Sequence, residues 1–107
     1  MVKLYIVVPA YNEQDNLDNL IKDWYPVVEK HNGNGESRLV VVNDGSKDRT
    51  LWLLHEIAAK DSLYCVVSLN GNYGHPRAIL SGMMMARKYA DAVVPIAADL
   101  QQDIEAL

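Results

Sequence analysis

Four short runs of apolar residues, at positions 4–8, 39–42, 64–69 and 92–96, recur along the chain with polar segments between them. Each run is rich in Val and Ile, and none alternates cleanly between apolar and polar positions. Continuous β-branched runs of this kind are typical of parallel strands that are buried on both faces of a sheet. We therefore predict four buried parallel strands.

The segments between the runs have helical spacing. Apolar residues recur every three or four positions from 17 to 28, and Pro26 is expected to kink this helix or end its regular part near Trp24. We expect Ser46 to cap the second helix, with Asp48 near its positive N-terminal end. Pro76 suits the first turn of the third helix.

The resulting order, βαβαβαβ, predicts an α/β fold with a mostly parallel open sheet and helices on both of its faces. A further element is expected to begin near Gln102. The three methionines at 83–85 are expected to form a helix wall with one or two residues in the core.

Composition narrows the class of protein. The chain has 107 residues, is 50% apolar and carries a formal net charge of −4, which suits one domain spanning residues 1–107. Its longest apolar run is far below the roughly 20 residues of a membrane span, and the acidic balance argues against a nucleic-acid partner. Cys65 is the sole cysteine, which excludes an internal disulfide and a cysteine-based zinc site.

No targeting segment is visible, so a cytoplasmic environment is expected. Residues 103–107 resemble the first turn of a helix, and we therefore expect the chain to be truncated at its C-terminal side. A missing half would leave an apolar edge uncovered, from which we expect self-association.

Polar residues collect directly after each predicted strand, at 9–13, 43–48, 70–75 and 97–101. In an open parallel sheet, ligands bind outside the carboxyl ends of the strands. The carboxylates of Glu13, Asp44 and Asp99 are expected at this rim, where they would suit a divalent cation, ribose hydroxyls or a base N–H. Each segment alone is more often a turn or a helix cap, and their coincidence at four strand ends favours a ligand site.

Taken in order, these segments resemble family 2 glycosyltransferases with the GT-A fold. V-V-P-A-Y-N-E at 7–13 resembles the opening strand and loop of that family, and V-V-N-D-G-S-K-D at 41–48 resembles its second-strand signature, V-D-D-G-S-x-D. N-Y-G-H at 72–75 and P-I-A-A-D-L-Q at 95–101 resemble segments of its polyprenyl-phosphate branch, the second of them usually D-A-D-L-Q. The resemblance covers nearly the whole chain.

The resemblance implies that this chain is the Rossmann-like, nucleotide-binding half of a GT-A fold, and that it binds a nucleotide-diphosphate sugar. The residues that the family pattern assigns to the donor are Pro9, Tyr11, Glu13, Asp44, Gly74 and His75. Asp99 matches the last acid of the family's DXD motif and would hold Mg²⁺ or Mn²⁺ on the diphosphate.

The implied reaction transfers the sugar with inversion to a lipid-phosphate or glycan acceptor. The catalytic base is expected beyond Leu107. Membrane association, at the cytoplasmic face, is expected only through parts of a longer protein that also lie beyond Leu107.

At two positions the sequence differs from the family pattern, and two other classes of protein share its order of strands and helices. Ala97 stands where the first DXD aspartate belongs and Asn43 replaces an acid that is frequent in the second motif, so a non-catalytic nucleotide-sugar-binding module is the alternative. A dinucleotide-binding oxidoreductase ranks lower, because no G-x-G-x-x-G follows the first strand. A phosphoacceptor signalling domain also ranks lower, because it would need paired acids where only Glu13 is present.

Overall fold

A computed structural model describes residues 3–32 and 35–96 of the chain. Within these residues, strands and helices alternate as the hydrophobic pattern predicts. The elements in chain order are β1 Leu4–Ala10, α1 Leu17–Lys22, α2 Tyr25–Lys30, β2 Arg38–Asn43, α3 Thr50–Lys60, β3 Tyr64–Ser68, α4 His75–Ala86 and β4 Ala92–Pro95.

The four strands form one parallel sheet with the order β3-β2-β1-β4. In the central strand β1, Ile6 lies opposite Leu39 of β2 on one side and opposite Val94 of β4 on the other. On the far side of β2, Val41 lies opposite Val66 of β3. The parallel arrangement predicted from the β-branched runs is confirmed.

Alternate side chains of the central strands enter two different cores. Ile6 and Val8 face α1, α2 and α3, where Trp24 and Leu54 complete the larger cluster. Val7 faces the opposite way, into a smaller cluster beneath α4. Helices therefore cover both faces of the sheet, which confirms the predicted fold class, and the buried strands account for the continuous apolar runs.

The first helical stripe is divided into two short helices, α1 and α2, with Trp24 between them. Pro26 lies in the first turn of α2, where its missing N–H has no helical partner to lose, so the predicted break near Trp24 is confirmed. The predicted cap at Ser46 is wrong, because α3 begins only at Thr50 and the Ser46 hydroxyl accepts a hydrogen bond from the backbone N–H of Asn12 instead.

Pro76 does lie in the first turn of α4, as predicted. Met83 and Met85 pack against the smaller core while Met84 is exposed, as expected for a helix wall. Among the described residues, no helix has the length and apolar character needed to cross a bilayer. The element predicted near Gln102 lies outside the described residues.

Gly82 lets α4 lie close to the sheet. A Cβ at this position would lie 2.5 Å from Cγ1 of Val7 and 2.7 Å from Cγ2 of Val42, both of which are fully buried strand residues. These distances are shorter than any normal carbon contact, so the sheet and the helix would have to separate.

We expect Gly82→Ala to lower the free energy of unfolding by about 1–2 kcal/mol, because the overpacking exceeds the gain in helix propensity. Urea unfolding measures this change. Ser81→Ala, at the preceding and half-buried position of α4, is the matched control and should not be destabilising. A Gly82→Ala protein as stable as the parent would contradict the close packing of α4.

Candidate functional site

The strand order reverses beside β1. The chain moves outward from β1 to β2 and β3, then returns to the other side of β1 as β4. In open α/β sheets the crevice at such a reversal, at the carboxyl ends of the strands, is where ligands bind. The loop that follows β1 at Ala10 lies at this position, and it is the loop that contains Tyr11 and Glu13.

The loop after β1 is tied to the loop after β2 by reciprocal hydrogen bonds. The backbone N–H of Asn12 donates to the Ser46 hydroxyl over 3.0 Å, and the N–H of Lys47 donates to Oδ1 of Asn12 over 2.8 Å. Two residues further, the N–H of Arg49 donates to Oε1 of Gln14 over 2.9 Å. We call this pair of loops, residues 11–14 and 46–50, the latch.

Asn12 adopts a left-handed backbone conformation with φ of +52°. Asparagine is one of the few residues besides glycine that adopts this conformation readily. The conformation lets both the backbone N–H and the side-chain oxygen of Asn12 bond to the second loop, which explains why this residue type suits the position.

Thr50, which is fully buried, and Asp48, which is half-buried, form one end of the latch. Oγ1 of Thr50 accepts the N–H of Glu13 over 2.8 Å and donates to Oδ1 of Asp48. Burial raises the pKa of the Asp48 carboxyl, but hydrogen bonds from the hydroxyl and N–H of Thr50 and from the N–H of Gln14 outweigh it, so this pKa lies below its ordinary value of 3.8. The hydrogen bonds from Thr50 and Gln14 therefore favour the charged form of the Asp48 carboxyl.

Asp44 holds the loop after β3, at residues 72–74, against the same edge of the sheet. Its carboxylate is fully buried and accepts the N–H of Tyr73 at Oδ1, over 2.8 Å, and the N–H of Gly74 at Oδ2, over 2.9 Å. The side-chain amide of Asn72 donates to Oδ2 and to the carbonyl oxygen of Asp44, each over 3.1 Å. We call this set of contacts the Asp44 clamp.

Two glycines make the clamp possible. Gly45 has φ of +68°, and a Cβ there would lie only 2.6 Å from the backbone nitrogen of Asn72. Gly74, just before α4, has φ of 92° and ψ of 156°, a conformation open almost exclusively to glycine. The two loops therefore approach backbone to backbone, and the second of them turns directly into α4.

The structure brings the described residues that the sequence predicts for the donor to one edge of the sheet, with different exposures. Pro9 is buried within β1 and lies opposite Val42, whereas Tyr11 and Glu13 are half-buried in the loop beyond it. Gly74 is held by the clamp. The six predicted residues in this part of the chain are Pro9, Tyr11, Glu13, Asp44, Gly74 and His75.

His75 and Asp44 differ from the expectation of a simple polar rim. His75 is the first residue of α4, and its Nδ1 atom is buried with no hydrogen-bond partner. The carboxylate of Asp44 is directed into the protein, toward the loop at 72–74, and it is not on the open surface in this conformation.

Sequence reasoning missed Asn12, Thr50 and Asn72 as residues that shape the site. The only local signal was the residue type, since Asn and Thr after strands are common in turns. Their partners lie between 28 and 37 positions away in the sequence, so no local pattern could have paired them.

The metal assignment cannot be placed in the described part of the chain. Asp99 and Ala97 both lie outside it. Within residues 3–32 and 35–96, no three His, Cys, Asp or Glu side chains come together as a metal site.

A shallow cavity of about 230 Å³ lies beside the latch, lined by Gln14, Asp15, Arg49, Trp52 and Leu53.

Comparison with known proteins supports a specific family. Residues 5–107 match the family model described as glycosyl transferase family 2. The chain is 38% identical over 101 residues to the undecaprenyl-phosphate 4-deoxy-4-formamido-L-arabinose transferase of Pseudomonas fluorescens, covering 94% of this chain and 28% of the relative. It is 33% identical over 106 residues to the prophage bactoprenol glucosyl transferase homolog of Escherichia coli, covering 99% and 33%.

A solved structure shares the fold. The chain superposes on Staphylococcus aureus TarS residues 1–349, solved in complex with UDP, with a TM-score of 0.66 and 23% identity, over 97% of this chain and 31% of that one. Here and among the relatives above, the chain therefore spans roughly a third of the length of the proteins it matches.

We expect Thr50→Val to loosen the latch. Valine has the same shape but leaves the N–H of Glu13 and the carboxylate of Asp48 without the hydroxyl, at a cost of about 1–3 kcal/mol in unfolding free energy. Chemical denaturation near neutral pH measures this cost, and NMR titration should show the pKa of Asp48 moving up toward 3.8.

The lowered pKa of Asp48 also predicts how the stability difference between the parent and Thr50→Val changes with pH. A carboxyl whose pKa is lowered by folding stabilises the protein above its unfolded value and loses that contribution as the pH falls through its folded value. The stability gap between the parent and Thr50→Val should therefore narrow below pH 3.8. A gap that stays constant down to the acid transition would exclude the Thr50–Asp48 bond as its source.

We expect Asp44→Ala to release the loop at 72–74. The change removes the acceptor for two backbone N–H groups and one side-chain amide, and should cost about 2–4 kcal/mol. Amide hydrogen exchange at Tyr73 and Gly74 should accelerate more than in the core strands. Asp15→Ala, an exposed acid in the segment after β1, is the matched control, and unchanged exchange at both amides would refute the clamp.

Proposed function

Because the chain belongs to glycosyl transferase family 2, we propose that it forms the donor-binding part of an inverting glycosyltransferase that uses a nucleotide-diphosphate sugar. The observation that carries this proposal is the joining of three strand-end loops at the edge where the strand order reverses. That edge is where an open parallel sheet binds nucleotides.

The latch and the clamp supply a preformed wall for the nucleoside. Tyr11 and Glu13 lie in the latch loop next to the reversal, so their half-buried side chains are the ones we assign to the nucleoside. Pro9 holds the end of β1 in line with β2. Asp44 acts through the loop that it holds, which ends in Gly74 and His75.

The acceptor that we propose is a polyprenyl phosphate. The support is the identity of 38% to an undecaprenyl-phosphate sugar transferase and of 33% to a bactoprenol glucosyl transferase homolog. A phosphate oxygen of such an acceptor would attack the anomeric carbon in line with the departing nucleoside diphosphate, which inverts that centre. The oxygen is already anionic, so it needs less help from a base, and we place the reaction at the cytoplasmic face of a membrane.

The proposal includes Mg²⁺ or Mn²⁺ held by Asp99. A carboxylate oxygen is the hard ligand that these ions prefer, and Asp99 stands at the position of the last acid of the DXD motif. When bound, such an ion would neutralise charge on the leaving diphosphate. Ala97 has no carboxylate to serve as a second ligand. This observation favours the alternative, a nucleotide-sugar-binding module without metal-dependent transfer.

Calorimetric titration with UDP, GDP and their sugars, with and without Mn²⁺, tests donor binding. We expect one nucleotide to bind, with UDP tested first because TarS, which shares the fold, was solved with UDP. Glu13→Gln should weaken binding about tenfold or more, since a hydrogen bond to a charged group is worth about 1.5–3 kcal/mol. Asp23→Asn, an exposed acid at the end of α1, is the control.

The metal arm separates the two candidates. Transfer-competent binding predicts that Mn²⁺ tightens the complex and that Asp99→Ala removes this gain. Binding that ignores both Mn²⁺ and Asp99→Ala favours the binding module. A folded sample that binds none of the nucleotides would exclude both.

A further inference from the structure

The charges of this chain are divided unevenly along the sequence. Residues 62–90 contain no Asp or Glu, and they carry three cations, Arg77, Arg87 and Lys88. The other 78 residues carry all fourteen acids and only seven cations. A protein of net charge −4 therefore has one cationic segment, and this segment forms β3, the loop after it and α4.

In the described structure, α4 is the helix that covers the smaller core, and its two sides differ in character. The inward side consists of small buried residues, Ala78, Gly82 and Ala86. The outward side carries Leu80 and Met84, one helical turn apart, whose exposed fractions are 56% and 57%. Two large apolar side chains of α4 therefore face outward, and the small ones face the core.

The cations flank this apolar pair. Arg77 lies one turn before it, and Arg87 and Lys88 follow its end, all three exposed. Tyr89, 61% exposed, follows directly. An exposed helix face with apolar residues, a tyrosine and cations is the composition of helices that lie in the boundary between lipid headgroups and acyl chains.

A cavity of about 300 Å³ extends this surface at the C-terminal end of α4. It is lined by Lys3, Tyr5, Glu36, Arg38, Lys88 and Tyr89. Three of these residues are cations against a single acid, and the Nζ atom of Lys3 lies 3.6 Å from Oε2 of Glu36. The cavity thus offers positive charge and hydrogen-bond donors, which is the chemistry that recognises a phosphate group.

We propose that the outer face of α4, together with this cavity, docks on an anionic phospholipid bilayer. Leu80, Met84 and Tyr89 would enter the headgroup boundary, and the cations would lie at the level of the lipid phosphates. The docking surface belongs to the described fold itself, and in this it departs from the sequence-based expectation that the membrane is reached only through parts beyond Leu107. It goes beyond the proposed function and does not depend on which nucleotide or sugar the site accepts.

Charge argues against a second copy of the chain as the occupant. In a two-fold dimer through α4, the same patch would face itself. Three cations would then meet three cations, and residues 62–90 contain no acid. The two acids nearest the patch, Glu36 and Asp91, both contact Lys3, the first at its Nζ atom and the second at its backbone N–H. An anionic bilayer offers the opposite charge and an apolar layer beneath it, and both match the outer face of α4.

The test is flotation of the folded chain with vesicles made of equal parts phosphatidylcholine and phosphatidylglycerol, against vesicles of phosphatidylcholine alone. We expect binding to the mixed vesicles at low salt, little binding to the neutral ones and release as the salt concentration rises. The double variant Arg87→Gln/Lys88→Gln should lose about 25-fold in partitioning, or about fivefold for each charge removed near the surface.

Two more variants make the test specific. Leu80→Ser/Met84→Ser should weaken binding to mixed vesicles while leaving the salt dependence in place, because it removes only the apolar contribution. Lys22→Gln/Lys30→Gln removes the same charge from α1 and α2, on the opposite face of the sheet, and should bind like the parent. Circular dichroism confirms that each variant is folded.

Several outcomes would overturn the proposal: a folded chain that ignores the mixed vesicles, equal binding to both vesicle types, or equal losses in both charge variants. A dimer that Leu80→Ser/Met84→Ser dissociates, with no vesicle binding, would overturn it and identify the occupant as a second copy. Nucleotide titration of the same sample reports on the donor site separately, so failure of one proposal leaves the other standing.

Discussion

The buried carboxylate of Asp44 is the interaction on which the arrangement of the strand-end loops depends. The residue directly follows β2, and its own N–H donates to the carbonyl oxygen of Ala10 over 2.9 Å, so the carboxylate is fixed to the two central strands. A buried charge is tolerated only where hydrogen bonds replace its hydration. The donors come from a different loop, at residues 72–74, and that loop must therefore close over Asp44.

Closure at Asp44 also sets the position of α4. The helix begins at His75, one residue after the clamped Gly74, and its middle is held against the sheet by Gly82. A helix fixed at its first turn and at its centre has little freedom to tilt. The outward direction of Leu80 and Met84 is therefore set by the same contacts that place the N-terminus of α4 at the carboxyl ends of the strands.

The sequence predicts the strands closely because their signal is local. Runs of Val and Ile are buried on both faces wherever a parallel sheet forms, and each strand begins and ends within two residues of its predicted position. The break near Trp24 is equally local, because Pro26 cannot continue a helix from the preceding turn. The fold class follows from such signals, and so does the prediction that a ligand binds at the carboxyl ends of the strands.

The contacts within the site could not be predicted in the same way. Ser46 has the residue type of a helix cap, but its hydroxyl accepts a hydrogen bond from the N–H of Asn12, 34 positions earlier. Asp44 was expected to offer its carboxylate to a ligand, and the same acceptor oxygens meet N–H groups 29 and 30 positions later. Which partner a polar side chain takes is decided by how the strands bring distant loops together, and residue type alone leaves that choice open.

The clamp limits what Asp44 can do for a bound nucleoside. A carboxylate has about four acceptor positions, and three of them are taken by Asn72, Tyr73 and Gly74. The remaining position is enclosed with the rest of the fully buried carboxylate, so direct contact with a base N–H would require the loop to open. One new hydrogen bond would not offset the loss of three. Asp44 therefore contributes most by holding the loop and α4 in place, whereas the side chains of Tyr11 and Glu13 remain partly exposed at the same edge of the sheet. A nucleoside that did reach Asp44 would bind only to the minor, open population, and its apparent affinity would fall by the fraction of molecules in that state.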